Sequence, residues 1–216
     1  MPRTPALAPP GPPPTRATRL RRLLPWAAGL AAVGVGGAAV GTVWVLRASP
    51  PPAVVTGTSG AAHFNFRVTG IPVPGTVPSV RARASFRPDD LTHASGEVLV
   101  NLAGLRTGIA LRDEHARNYL GVQAHPEAVF TLTRIEGAQA LPAGRPLRAF
   151  ALGTFDLNGV RVPLRAPVTL TLDGAGKEVQ VQTHFDVTFA RHHIRIPGAD
   201  PGADVDVTFR LPVAGR

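Results

Sequence analysis

The chain contains no cysteine. A disulfide scaffold, a thiol nucleophile, cysteine-ligated zinc, an iron–sulfur cluster and a cysteine-linked lipid anchor are therefore all excluded. Lysine is nearly absent as well: Lys177 stands alone, so the formal net charge of +9 is an arginine charge. It is also unevenly spread. The first 22 residues have no acid and carry five arginines (Arg3, Arg16, Arg19, Arg21, Arg22). Arg47 adds a sixth, and residues 48–216 hold 17 basic against 14 acidic side chains, a net of +3. The basic excess belongs to a tail, so nucleic-acid binding by the remainder loses its main support.

Tryptophan occurs twice, as Trp26 and Trp44, and both lie in an apolar N-terminal stretch. Residues 23–46 carry no charge over 24 positions, enough to cross a bilayer, which takes about 20. The two indoles are 18 residues apart, ~27 Å along a helix, which predicts one near each membrane interface. The arginines before the run predict that residues 1–22 are cytoplasmic and that the chain beyond residue 47 is outside. The run is too long for the apolar part of a cleaved signal peptide, ~7–15 residues. Seven prolines and little apolar content predict a disordered tail over 1–22, and the prolines of 47–53 predict a stiff spacer.

Residues 54–216 alternate apolar and polar with period two, the signature of strands with one buried face. In 160–172 all seven even positions are apolar, among them Val162, Leu164, Ala166, Val168, Leu170 and Leu172. The odd positions from Val179 to Phe189 repeat the pattern, as do those from Val205 to Val213. Similar stretches at 64–68, 80–86, 98–102, 128–135 and 149–157 bring the count to about eight strands. Asn158-Gly159 is a two-residue hairpin turn; Asp173–Gly176 and Pro88–Asp90 are two more. A single helix is predicted over Ile109–Leu120, with Asp113 in its early part and Gly121 as its cap. About eight antiparallel strands joined by short turns predict a sandwich or a barrel. A barrel of that size can hold one small ligand. The small interior residues Ala82, Ala84, Ala151, Gly153 and Ala166 either leave room for a ligand or fit the taper of a packed core.

The segment LRTGIALRDEHARNYLGVQAHPEAVFTL, Leu105 to Leu132, resembles the hallmark of the YceI-like, lipocalin-like polyisoprenoid-binding family. Thr107-Gly108, Arg112-Asp113-Glu114-His115, His125-Pro126 and Phe130 fill the hallmark positions. Gly153 to Leu164, GTFDLNGVRVPL, resembles the family's glycine-bearing hairpin, and Ile196-Pro197 closes a third, weaker match. The resemblance implies an all-β antiparallel barrel of about eight strands with one short helix, here preceded by a transmembrane helix. Joined to the apolar run and its arginines, it predicts a membrane-anchored binding protein of a bacterial cell, with the barrel periplasmic or otherwise extracytoplasmic. Its ligand would be an isoprenoid lipid of polyprenyl or quinone type, and a homodimer is a further possible partnership. A polyprenyl tail binds by apolar burial, ~0.8 kcal/mol gross per CH₂, so an apolar tunnel suffices. The interior-phase residues that would contact it are Phe64, Phe66, Phe86, Val100, Phe130, Leu132, Leu164, Val168, Leu170, Phe185, Val187 and Phe209.

Polar chemistry is sparse. Arg112, His115 and Tyr119 share one helical stripe and are headgroup candidates; the alternative is that the stripe seals the barrel by hydrogen bonding. The seven histidines show no metal-ligand spacing, and no nucleophile motif of the G-x-S-x-G kind occurs. The sequence therefore predicts no catalytic residue, no metal site and no cofactor beyond the lipid itself. A packed barrel without ligand is the competing expectation, and a cavity separates the two.

Overall fold

The structure is a computed structural model that describes residues 53–213. The expectations for the tail 1–22, the apolar run 23–46 and all of the spacer 47–53 except Ala53 lie outside the described residues. No helix among the described residues is long and apolar enough to cross a membrane.

Ten strands form one antiparallel sheet: β1 (Val54–Gly57), β2 (Gly60–Val68), β3 (Ile71–Val77), β4 (Val80–Arg87), β5 (Asp90–Asn101), β6 (Glu127–Glu136), β7 (Pro146–Leu157), β8 (Val160–Leu172), β9 (Glu178–Thr188) and β10 (Gly202–Pro212). The hydrogen-bonded order is β1-β4-β5-β6-β7-β8-β9-β10-β2-β3. Among the described residues one α-helix, α1 (Ala110–Tyr119), lies between β5 and β6, after a 3-10 turn at Leu102–Gly104.

The strand count corrects the expected eight, and the register explains the difference. β1 pairs with β4 from Val54↔Ser85 to Gly57↔Ala82, and β2 pairs with β3 from Ala62↔Val77 to Val68↔Ile71. The two ladders keep one register. β1 and β2 are thus halves of one long strand, and β3 and β4 halves of its partner. The ladder lapses between the halves, over residues 58–61 on one side and 78–81 on the other. Val77 and Val80 lie at that break and are the least exposed large side chains, at 2% and 1%. The result is a curled sheet whose ladder bonding breaks at one corner, not a barrel hydrogen-bonded all the way round.

β1 and β3 escape a sequence reading for different reasons. β1 has four residues and abuts the prolines of the spacer. β3 carries Pro72 and Pro74, which argue against a strand. Here the prolines are tolerated because β3 is an edge strand. The Thr76 N–H points away from β2 and donates to the Arg106 carbonyl at 2.8 Å. Residues 72 and 74 share its parity, so their missing N–H groups fall on the same open edge. β5 also starts earlier than expected, at Asp90, directly after the Pro88-Asp89 turn.

Elsewhere the period-two pattern sets the interior. In β8 every even residue from Ala166 to Leu172 is buried, and in β9 Val179, Val181 and Val187 are. Each fully buried Val or Leu stabilises the fold by about 1.5–3 kcal/mol. Curvature comes from irregularities: register shifts at Ser85/Arg87 and Leu132/Arg134, and glycines 96 and 153 opposite them. Bulges and glycines are the usual means of bending strands into a closed shape. The Asn158-Gly159 turn has both residues at positive φ, 55° and 72°, as a type I′ hairpin demands.

α1 ends in a Schellman arrangement. The Gly121 N–H donates to the Asn118 carbonyl and the Val122 N–H to the Arg117 carbonyl, with Gly121 at φ +66°. A Cβ on Gly121 would also sit 2.1 Å from Asn158 Oδ1, while Asn158 Nδ2 donates to the His192 carbonyl. Gly121→Ala is therefore expected to cost about 1–2 kcal/mol, from the left-handed backbone and the displaced Asn158. Chemical denaturation at neutral pH measures it. A variant as stable as the wild type would show that neither the cap nor the turn depends on this glycine.

Candidate functional site

The interior faces of the strands enclose a cavity of about 240 Å³. Its lining is almost wholly apolar. All twelve residues predicted to face a tail line it: Phe64 and Phe66 from β2, Phe86 from β4, Val100 from β5, Phe130 and Leu132 from β6, Leu164, Val168 and Leu170 from β8, Phe185 and Val187 from β9, and Phe209 from β10. Alternation alone brings them together, since residues of one parity share one face. Phe64, Phe66, Phe86, Phe130 and Phe185 face the interior yet remain half-buried. All five line the cavity.

The wall is uneven. Phe64 and Phe66 stack at 6.3 Å between centroids, and Phe66 meets the edge of Phe189 at 5.8 Å. Phe155 and Phe185 meet edge to face at 5.7 Å. The Phe64 ring lies across Gly75 on β3, where a Cβ would fall 2.0 Å from its Cζ. By contrast, β4 and β5 contribute Ala82, Ala84, Ala94 and Gly96. Of the five small interior positions singled out from sequence, Ala82, Ala84, Ala151 and Ala166 line the cavity, while Gly153 does not. At Gly153 a Cβ would stand 2.0 Å from the Thr131 carbonyl oxygen, so this glycine permits the close approach of β6.

Other lining residues come from outside the strands' regular alternation. Leu141 in the β6–β7 loop, Ile196 after β9, Ala116 of α1 and Leu120 just after it reach the cavity from its ends. Leu141 is held there by its N–H, which donates to the Pro88 carbonyl at 2.6 Å. These residues had no strand parity to assign them a face. Phe155 was not among the twelve, although its parity on β7 assigns it to the interior face.

The headgroup candidates lie apart from the cavity lining. None of Arg112, His115 and Tyr119 lines the cavity. Arg112 is committed to Thr107: its Nε donates to Thr107 Oγ1 at 2.9 Å and its Nη2 to the Thr107 carbonyl. Asp113 accepts from the Thr107 hydroxyl at 2.5 Å and from its N–H at 2.6 Å, and Arg117 Nη1 donates to the Leu105 carbonyl at 3.2 Å. Thr107 is buried, so the Thr-Gly and Arg-Asp parts of the hallmark form a clamp joining the loop to α1. His115 and Tyr119 face outward.

The hydroxyl and amide of Thr107 hold the Asp113 carboxyl below the usual carboxylate range. The clamp's stabilisation is present above the ordinary carboxylate pKa and disappears as pH falls through the lowered value. Melting temperatures of the wild type and Asp113→Asn should therefore differ at pH 7 and converge in strong acid. A gap that persists undiminished at the lowest pH would contradict the clamp.

Little else in the interior is polar. Thr183 lines the cavity, and its hydroxyl donates to the Pro167 carbonyl at 2.8 Å. No buried side-chain N or O atom among the described residues lacks a partner. No three His, Cys, Asp or Glu side chains among the described residues are grouped to hold a metal. His63, His93, His125 and His184 are exposed; His192 is buried in a 3-10 turn, Phe189–His192. The arrangement can bury an apolar chain by contact and desolvation.

Comparison with known proteins follows the same line. The family model described as YceI-like domain matches residues 54–213. No curated protein sequence matches the chain. Among solved structures, a polyisoprenoid binding domain from Saccharophagus degradans implicated in plant cell wall breakdown superposes with a TM-score of 0.60 at 13% identity, over 76% of this chain and 99% of that one. BcnA of Burkholderia cenocepacia gives 0.58 at 15% identity, over 72% and 96%. The YceI protein of Campylobacter jejuni gives 0.53 at 13%, over 66% and 86%.

Proposed function

The chain belongs to the YceI-like domain family, and from that premise we propose that it holds the tail of a long-chain isoprenoid lipid inside its curled sheet. The observation that carries the proposal is the cavity, about 240 Å³ and lined by apolar residues of nine strands. A filled core of the same strands would have no use for half-buried phenylalanines. The polyisoprenoid binding domain of Saccharophagus degradans, similar in fold, supports the ligand class. We propose further that residues 23–46 anchor the chain in a bacterial membrane and leave the sheet on the extracytoplasmic side, as the N-terminal arginines indicate. The role is carriage or sequestration, without bond making.

The shape of the lining argues for a tail. A headgroup with charge or hydrogen-bonding capacity would need partners inside, and the interior offers almost none. The headgroup therefore stays at an opening or outside. Gross burial of about ten CH₂ groups supplies ~8 kcal/mol, much of it offset by ordering a flexible chain.

The test is mass spectrometry of lipids extracted from the full chain purified in detergent. The expected result is one isoprenoid class in near-stoichiometric amount, or uptake of polyprenyl lipid on loading. A chain that carries none and takes up none would overturn the proposal in favour of a packed domain without ligand.

A further inference from the structure

We propose that the polar end of the lipid leaves the cavity sideways, through a seam between β8 and β9, and that Arg191 and Thr188 hold a neutral, hydrogen-bond-accepting headgroup at its outer rim. The inference rests on the lipid-holding proposal above and says where that lipid crosses the wall.

The seam is a second lapse in the sheet. β8 stays on β7 as far as Leu157↔Val160, and β9 stays on β10 as far as Gly202↔Thr188. Between β8 and β9, however, the ladder ends at Val168↔Thr183. Residues 160–167 and 184–188 are strands whose facing edges do not pair. Prolines account for this. The two-residue Asn158-Gly159 turn makes Leu157 and Val160 a hydrogen-bonded pair, so even residues of β8 direct their N–H groups to β7 and odd residues to β9. Pro163 and Pro167 are odd, and the N–H groups they lack are those that β9 would need. The Pro167 carbonyl accepts from the Thr183 hydroxyl at 2.8 Å, just past the last ladder pair. His192 closes the lower end of the seam. Its Nδ1 lies 3.1 Å from the Val160 carbonyl oxygen, and its carbonyl accepts from Asn158 Nδ2 at 3.2 Å.

A small cleft of about 30 Å³ lies in the seam. It is lined by consecutive residues of both strands, 162–164 and 185–188. Neighbours on a strand point to opposite faces, so a cleft that touches both parities passes through the wall. On its inner side it shares Phe155, Leu164, Phe185 and Val187 with the main cavity. Phe155 and Phe185, edge to face at 5.7 Å, border both spaces. On its outer side are Asp186, Thr188 and Arg191. The volume admits about two waters, which suits the neck of a lipid with its headgroup outside.

Charge selects the headgroup. Beside α1 the polar groups are already engaged: Arg112, Asp113 and Arg117 are held by Thr107 and Leu105. At the seam Arg191 and Thr188 are exposed. The Thr188 hydroxyl does not cap the 3-10 turn that follows it, and Arg191 forms no ion pair among the described residues. Arg161 and Arg165, outside on β8, are taken up by Asp156 at 3.2 Å and Glu136 at 3.4 Å. Asp186 and Asp204, opposite one another on β9 and β10, stand against the single guanidinium of Arg191. A diphosphate would meet two carboxylates there, whereas a carbonyl or hydroxyl oxygen would meet two donors.

The test loads the full chain, purified in detergent, with a long-chain isoprenoid azidoquinone. Uptake is measured first; the sample is then illuminated and digested, and the adducts are located by mass spectrometry. Adducts are expected within 161–165 or 184–193. Uptake with adducts only elsewhere, at 109–124 or 137–145 for example, or with none, would overturn the proposal. A wild type that takes up no isoprenoid chain of any kind would defeat the lipid-holding proposal itself, before any adduct is sought.

A second readout concerns the rim. Arg191→Ala should weaken retention of a long-chain quinone about fivefold and leave retention of the same chain without its headgroup unchanged. Equal losses for both would make Arg191 a structural residue, and no loss for either would remove it from the site; both results overturn its role. On the wild type the quinone should outcompete a polyprenyl diphosphate of equal length, and the reverse order would overturn the neutral headgroup.

Discussion

Ala84→Phe is expected to empty the cavity of lipid while leaving the sheet folded. Ala84 sits on β4 opposite Val55 and Gly96, faces inward and lines the cavity. Substituting a larger side chain in a packed core costs typically 1–3 kcal/mol through strain. Here the ring enters a void of about 240 Å³. It gains apolar contacts there, so the melting temperature should hold or rise. A bound tail then loses the space the ring occupies. Displacing about five CH₂ groups at ~0.8 kcal/mol each removes ~4 kcal/mol gross. Even with half of that offset by a less ordered tail, binding should weaken at least tenfold, since 1.4 kcal/mol is one decade. The measurement is isoprenoid per mole of purified chain, for the wild type and the variant, with melting temperature alongside. A folded Ala84→Phe carrying as much lipid as the wild type would place the tail elsewhere. Phe185→Leu is the milder control: it keeps the fold and should loosen the fit without blocking it.

The same parity that makes Ala84 a blocking position also sets how much could be read from the sequence. Leu170, Phe185 and Phe209 could be assigned to the interior because alternation admits two faces and their polar neighbours occupy the other. The Asn158-Gly159 turn then fixed the register of β7 on β8, observed as Leu157↔Val160. The YceI-like resemblance supplied the ligand class, which no periodicity could. Other features depended on distance through space. Whether the inward faces meet or leave a void depends on how far the sheet curls and on what closes its ends, as Leu141 and α1 do. β3 was hidden because Pro72 and Pro74 are tolerated only on an open edge, and edge status is a property of the assembled sheet. The outward turn of His115 and Tyr119 was equally hidden. A helix of ten residues with arginine and aspartate on its inner side has a weak apolar bias, and hydrogen bonds to Thr107 decide which side faces in.

His192 belongs to the same class of hidden residue, and it should make the protein sensitive to mild acid. On a strand, His192 and His193 would simply point to opposite faces. Instead the 3-10 turn buries the His192 side chain, 3% exposed, and leaves His193 outside at φ +56°. The His192 Nδ1 lies 3.1 Å from the Val160 carbonyl oxygen, so that nitrogen is assigned the proton of the neutral ring. Its ring meets Phe155 edge to face at 5.4 Å, and Phe155 in turn meets Phe185 on the cavity wall. Burial pushes the His192 pKa below its ordinary value; the Val160 and Leu157 carbonyls and Asp156 oppose that, while Arg191 adds to it. The folded state therefore binds fewer protons than the unfolded chain once pH drops below ~6.5. Stability is whole above that pH and declines on acidification, by at most ~1.4 kcal/mol per pH unit, until the folded ring itself is protonated. The window is distinct from that of Asp113, which opens only in the carboxylate range. His192→Gln keeps a donor for the Val160 carbonyl and removes the titration. Denaturation midpoints taken from pH 7.5 down to 4.5 should fall for the wild type and stay nearly level for the variant. Two parallel curves would mean that the acid response, if any, arises from another group. A charge at His192 would stand against Phe155, which lines the cavity, so the pH at which stability begins to fall is also where the proposed bound tail should first be released.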